Sequence, residues 1–255
     1  MSLLTLFLAS ALADAAPEEC SPATLSQSIP AAEAVNVPID IAPLLIFRGN
    51  CGLSASYTVR LTASGDPTPL FETTYDASDF AIAGENDSLL EPDFGLLTAD
   101  TDYIVQVTND FGEDRQFGFS TGQGVVEPIT TGLPTVQIES AQQDKLSRDF
   151  YYNQIDLSIT SAGAGDGAYI ISREGVEIGA LVATGPTTPY TIFWNDSTLE
   201  DRMCVTVVER DPSGALVGPS AESCAEVTAS RGCSHTSPWL AGWMILPLLG
   251  LRRSR

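Results

Sequence analysis

The sequence predicts an all-β chain of two tandem β-sandwiches followed by a short C-terminal hydrophobic helix. Three observations carry this. Short runs alternate apolar and polar residues, as in Ser56-Tyr-Thr-Val-Arg-Leu-Thr62, the spacing of a strand with one buried face. Glycine and proline, 21 and 16 of 255 residues, punctuate these runs as turn residues do. No stretch of the body sustains a 3.6-residue apolar stripe long enough for a helix. Each sheet must bury its apolar face against another, so strands in this number form sandwiches. With both ends set aside, about 215 residues remain, which suits two domains of about 100 each.

The elements follow in order. Met1 to Ala13 is an apolar run ending in small residues, read as a secretory signal within residues 1–16, although its start carries no basic residue. Residues 17–35 are small and polar and are assigned as a linker. The first sandwich spans 36–122. Val37, Ile39, Ile41 and Leu44–Phe47 open it, then Ser56–Thr62, Leu70–Tyr75, Ile82, Leu89-Leu90, Phe94, Tyr103–Thr108 and Arg115–Ser120 supply strands, the last two joined at Asn109-Asp-Phe-Gly112. Residues 123–134 form a second linker. The second sandwich spans 135–228, with strands at Val136–Glu139, Gln154–Ile159, Ala168–Ile171, Val176–Gly179, Tyr190–Phe193, Cys204–Val208 and Ser223–Val227. Within them Ile155, Leu157 and Ile159 alternate well, as do Cys204, Thr206 and Val208. Residues 229–255 are a C-terminal segment apart from the fold.

That last segment combines Cys233, an uncharged stretch from Pro238 to Leu251, and a cluster of Arg252, Arg253 and Arg255. A spanning helix needs about 20 apolar residues, so the stretch is short for a permanent span. The basic cluster fits a translocated chain whose tail is held in the membrane.

Composition limits the chemistry. With 33 acidic and 12 basic residues the formal charge is −21, which excludes a nucleic-acid partner engaged through a basic face. The single histidine is His235, in the C-terminal segment, so a Ser-His-Asp triad, a Cys-His pair and histidine-based zinc are excluded from the body. No phosphate-binding glycine loop is present, and nothing singles out a glycosidase-type carboxylate pair. The chain is therefore read as no enzyme, with a secreted hydrolase as the remote alternative. Calcium, which takes oxygen ligands, is the one candidate metal. Asp100, Asp102, Asp110, Glu113 and Asp114 are its candidate ligands, with a second acidic set at Glu85, Asp87, Glu91 and Asp93; neither has the spacing of an EF-hand loop.

Five cysteines suit an exported chain with two disulfides and one thiol put to another use. Cys204 and Cys224 sit in strand-like runs either side of a turn at Asp211-Pro-Ser-Gly214, so they are expected to pair across adjacent strands. Cys20 and Cys51 would then close the N-terminal region onto the first domain, leaving Cys233.

Two resemblances add to this. Gly232-Cys233, Pro238–Leu251 and Arg252-Arg253-Ser254-Arg255 resemble the tripartite C-terminal sorting signals of myxobacteria and their relatives. That resemblance implies a lipid-modified Cys233, a retention cluster of Arg252, Arg253 and Arg255, and a sorting protease and lipid-modification machinery as partners. It also implies a protein held through its C-terminal region in the membrane, at the cell surface or outer membrane of a Gram-negative bacterium. Asn36-Val-Pro-Ile-Asp40, Leu45-Ile-Phe47, Leu97 six residues before Tyr103, and Phe119-Ser-Thr-Gly122 resemble bacterial Ig-like domains, where the tyrosine hydroxyl ties a loop to the strand that follows. The second domain is similar to fibronectin type III-like or related Ig-like modules, with Met203 near the place of a corner tyrosine. These resemblances imply non-enzymatic sandwiches acting as spacers or binding domains. The alternative is an adhesin-like module for a surface protein or glycan, for which aromatics such as Tyr151, Tyr152 and Trp194 would be the contacts.

Overall fold

The computed structural model describes residues 22–49, 52–84, 86–145 and 150–229. Its first sandwich packs two antiparallel four-stranded sheets. One runs β1 (Thr24–Ile29), β2 (Leu44–Arg48), β6 (Asp87–Leu90), β5 (Ala81–Ala83); the other runs β4 (Pro69–Asp76), β3 (Ser56–Ala63), β7 (Asp102–Asn109), β8 (Asp114–Ser120). Alternation places Tyr57, Val59 and Leu61 of β3 and Tyr103, Val105 and Val107 of β7 in the core. Phe47 and Phe80 meet Tyr57 there, with centroids 4.8 and 5.2 Å from its ring.

Two tyrosines tie loops to this frame. The Tyr103 hydroxyl accepts from Thr98 N at 2.8 Å, beside the buried Leu97, which is the corner expected from their spacing. The Tyr57 hydroxyl donates to Ala23 O at 2.6 Å and accepts from Ser54 N at 3.0 Å.

The second sandwich has one sheet of β13 (Thr187–Asp196), β10 (Tyr151–Thr160), β9 (Thr135–Lys145) and β17 (Thr228–Ala229), the last parallel to β9. Its other sheet runs β12 (Val176–Val182), β11 (Ala168–Arg173), β14 (Arg202–Arg210), with β15 (Leu216–Val217) and β16 (Ser223–Glu226) both pairing β14. Ile155, Leu157 and Ile159 face Met203, Val205 and Val207 in the core. The disulfide between Cys204 and Cys224 joins directly opposed residues of β14 and β16.

Several expectations need correction. Residues 24–29, assigned to a linker, form β1 and pair with β2; a register shift between Leu25 and Gln27 and the polar Ser26, Gln27 and Ser28 hide the strand pattern. Phe94 is in a loop, packed against Phe71 at 5.2 Å. Strand β9 extends six residues past Glu139, because Glu139 is the extra residue of a bulge between Asp156 and Leu157 of its partner. The bulge moves the inward set from Val136 and Ile138 to Ala141 and Gln143, which ends the sequence-level alternation. Residues 123–134 have no strand, yet they are strapped down: Val126 N donates to Asp40 at 2.7 Å and Ile129 N to Asp211 at 3.0 Å.

The expected C-terminal hydrophobic helix is not part of the observed architecture. Among the described residues the one helical segment is a 3-10 turn, Ala77–Asp79, and no helix is long and apolar enough to cross a membrane. The structure thus gives no support to membrane anchoring by a helix, nor to the surface or outer-membrane location built on it. The stretch from Pro238 to Leu251 on which that helix was expected lies outside the described residues. The secretory signal, Cys20, Cys51, Cys233, Arg252, Arg253 and Arg255 lie outside the described residues.

The two sandwiches share a polar, buried joint. Asp87, 5% exposed, accepts from Arg48 Nε at 2.7 Å and from the backbone N–H of Ala180 on β12 at 3.0 Å. Arg48 also donates to the Tyr190 hydroxyl at 2.8 Å. Gln27 accepts from Val182 N at 3.0 Å. Arg210, 2% exposed, reaches back to Glu91 at 2.9 Å and to the carbonyls of Ala42 and Pro43. Ala168, Ala180 and Val182 of the second sandwich belong to the first sandwich's hydrophobic core. The joint therefore combines apolar burial with charges that are each hydrogen-bonded, the condition for burying them.

Candidate functional site

A cleft of about 960 Å³ opens where β5 of the first sandwich meets the β11–β12 hairpin and the β13–β14 loop of the second. Its width is fixed by Gly84, which has φ +84°; a Cβ there would lie 2.7 Å from the backbone of Ile178. Only a glycine allows the two chains to approach this closely in that conformation.

The second sandwich supplies most of the wall, held by Arg173. Its guanidinium lies 5.5 Å from the centroid of the Trp194 ring, donates to Asp196 Oδ2 at 3.2 Å, and bonds Glu200. A planar, always charged fork suits this triple duty. The two carboxylates titrate in opposite directions. Burial pushes Asp196 up, but Arg173 and the N–H groups of Thr198 and Ser197 overcome it and hold the carboxyl below its ordinary value. Burial dominates at Glu200 and raises it, against the pull of Arg173. Carboxylates with separated affinities are a signature of acid–base pairs. Here the guanidinium occupies the space between them, where a substrate would have to sit. Among the described residues that line the cleft, no nucleophile, base and orienting group come together.

Below this wall lies a sealed polar layer. Gln143 donates to Asn153 Oδ1 and to Thr198 O, both at 2.8 Å, and accepts from Glu200 N at 3.1 Å. Asn153 is paired across the sheet with Trp194; its Nδ2 and the Trp194 Nε1 are both buried without a hydrogen-bond partner. Three further acids line the cleft, Glu174, Glu177 and Asp201, with Arg202 opposing them. None of these four has an ion-pair partner among the described residues. Ile82 and Val176, 69% and 65% exposed, stand at its edges, one from each sandwich.

The aromatics expected to make contacts separate. Trp194 faces inward and is largely buried. Tyr152 stands on the outer face of its sheet, stacked on Phe193 with centroids 5.5 Å apart. Lys145 lies 5.9 Å from the ring of Tyr151.

The acids proposed for calcium do not form one site. Asp100 and Asp102 lie at the start of β7, bonded to Gln123 and Ser120. Glu113 and Asp114 lie beyond its other end, bonded to Asn109 and Gln106, with Asp110 in the same turn. Eight residues of extended chain separate the sets by roughly 25 Å, so no ion is shared. Of the second set, Asp87 and Glu91 serve the joint between sandwiches, and Glu85 lies outside the described residues. Among the described residues the one convergent group of ligating types is Cys204, Glu222 and Cys224, whose sulfurs are spent in the disulfide.

Sequence reasoning missed Arg48, Arg173, Asp196, Glu200 and Arg210, and gave Asp87 a place among the calcium candidates rather than in the joint. Part of the signal was present. Glu209 continues the inward phase of Met203, Val205 and Val207, and Asn153 that of Ile155 and Leu157, so polar residues break an apolar series at these positions.

No known protein family and no curated protein matches the sequence. Solved structures give loose likenesses. The fibronectin(III)-like modules of Clostridium thermocellum CbhA align over 82% of this chain and 95% of theirs, at 11% identity and a TM-score of 0.25. Murine CEACAM1b aligns over 82% and 100%, at 13% identity and 0.24. The tandem Ig repeats of Dlar align over 78% and 94%, at 12% identity and 0.20. Likenesses this loose say nothing of what the chain binds.

Proposed function

We propose that the chain is an adhesin-like recognition module, whose two sandwiches act as one rigid body and present the cleft at their joint to a protein or glycan partner. The observation that carries this reading is the position of the cleft. It lies across a joint closed by Asp87, Arg48, Gln27 and Arg210, with one aliphatic edge from each sandwich. A concave site between fixed bodies keeps its shape when a partner arrives, which lowers the cost of binding. A spacer needs no such concavity and only a fixed length.

The test is to probe glycan and peptide arrays with the labelled full chain and with Val176→Trp, which fills the cleft's mouth from an exposed position. Array features that bind the parent chain and lose it with Val176→Trp are the expected result. Absence of any ligand that depends on the cleft overturns the reading in favour of a plain spacer.

A further inference from the structure

We infer that Cys204, Cys224 and Glu222 form a latent site for a thiophilic divalent ion of the zinc class, which opens when a dithiol reduces the disulfide. None of the three lines the cleft, and the site does not depend on the recognition reading. The donor set is the first ground. Among the described residues these are the one group of three ligating side chains whose donor atoms all lie within 4.8 Å of one another. The Glu222 Oε2 atom is 3.8 Å from Cys224 Sγ. Sulfur and oxygen ligands of a tetrahedral zinc ion stand roughly 3.6–3.8 Å apart, so the carboxylate already keeps a coordination spacing.

The second ground is that the strands hold the two sulfurs together without the covalent bond. Cys204 and Cys224 are directly opposed, with Met203 paired to Ala225 and Val205 to Ser223 on either side. Met203 and Val205 are core residues and Ala225 packs against that core. Past β16, Val227 N donates to Asp201 O at 2.9 Å and β17 pairs with β9. Side chains opposed in this way have Cβ atoms about 4.5–5.5 Å apart, so two thiolates meet one ion by side-chain rotation alone. With Met203 and Val205 facing inward, both cysteines lie on the outer face, half-buried, beside an exposed Glu222, where a reductant reaches them.

The chemistry balances. A thiolate of the dithiol attacks one cysteine sulfur and the other leaves as thiolate; the second thiol of the reagent then releases the first cysteine. The reagent ends as its own disulfide, having given two electrons and two protons to the cysteine pair. The ion displaces both protons to solvent. Two thiolates and one carboxylate then hold it, with a water in the fourth position. Thiolates favour zinc over calcium or magnesium. Disulfide and metal are thus alternative clamps of β16 on β14, one for each redox state.

The test uses the full chain carrying Cys20→Ser, Cys51→Ser and Cys233→Ser, so that this pair supplies all the thiols. The protein is reduced with dithiothreitol, freed of reagent without air, and titrated with cobalt(II) as a coloured substitute for zinc. Thiolate-to-cobalt absorption saturating at one ion per chain is expected, displaced by zinc and absent from the oxidised protein. Adding Cys204→Ser should abolish the two-thiolate spectrum, and Glu222→Gln should weaken binding at least 10-fold while the thiolate absorption remains. Zinc should also raise the melting temperature of the reduced chain, and leave unchanged that of the same chain with Cys204→Ser and Cys224→Ser. No thiolate absorption, an equal spectrum with Cys204→Ser, unchanged affinity with Glu222→Gln, or two chains per ion overturns the inference. Loss of the strand signal in circular dichroism on reduction overturns it as well, because the site requires β14 and β16 to stay paired.

Discussion

The carboxylate of Asp87 in the first sandwich accepts the backbone N–H of Ala180 in the second at 3.0 Å. Strand β12 is the edge of its sheet, and an open edge invites pairing with other chains. Asp87 and Gln27 each take one of its free N–H groups, so the first sandwich covers an edge that the second would otherwise present to solvent. Arg48 completes the arrangement by neutralising Asp87 within the joint.

Asp87→Ala is therefore expected to destabilise the chain by about 3 kcal/mol, since it leaves Arg48 and the Ala180 N–H without their acceptor. Urea unfolding followed by tryptophan fluorescence and by circular dichroism reads this. The parent chain is expected to unfold in one transition; coincident transitions at an unchanged midpoint in the variant would show that the contact is idle.

Gly84→Ala places a Cβ against the backbone of Ile178 in a left-handed conformation. The expected cost is about 2 kcal/mol, with the two sandwiches forced apart at the cleft. Small-angle scattering should show a longer particle, and an unchanged profile with unchanged stability would contradict the close approach.

Tyr103→Phe removes only the hydroxyl that accepts from Thr98 N. A loss of about 1–2 kcal/mol is expected, with faster amide exchange at Thr98 and little change in Val105 at the strand centre. Uniform exchange across both residues would mean that the loop does not depend on the corner.

The disulfide between Cys204 and Cys224 closes a separation of 20 residues, which restricts the unfolded chain by about 3 kcal/mol in the loop-entropy model. Cys204→Ala with Cys224→Ala should lower the melting temperature without altering the pairing of β14 with β16. A melting temperature equal to that of the parent under oxidising conditions would refute this.

Acid stability has two signs. Burial works to raise Asp211, yet Ser213 and the N–H groups of Ile129, Ala215 and Ser213 hold it below its ordinary value. The folded state then binds fewer protons than the unfolded one below about pH 4. The contribution of Asp211 is complete above that range and is lost as pH falls through its depressed value. Glu200 is raised by burial, so its contribution is complete below the ordinary glutamate value and is lost as pH rises through its folded value. In melting curves against pH, Asp211→Asn should flatten the acid limb below pH 4, and Glu200→Gln should remove a decline above it. The reverse pattern would place the ionised forms wrongly.

The sequence by itself determined the strands that have one apolar face. Ser56–Thr62 and Gln154–Ile159 were legible because period two needs only local information, and Leu97 with Tyr103 because a corner lies within one turn of chain. Where both faces are apolar or a bulge intervenes, local pattern loses the phase. Cys204, Thr206 and Val208 alternate as well as Met203, Val205 and Val207, but only the second set is buried in the core. The bulge at Glu139 ended the pattern of β9, and polar Ser26–Ser28 concealed β1.

The cleft and the joint were decided by tertiary structure alone. Arg48 and Ala180 lie 132 residues apart, as Asp87 and Ala180 lie 93 and Arg210 and Glu91 lie 119. In a chain of net charge −21, any acid has many possible roles, and the sequence does not distinguish a solvated carboxylate from a buried one. Packing makes that choice, because burying Asp87 or Arg210 is tolerable only where the fold delivers the opposite charge and the backbone groups that complete its hydrogen bonds.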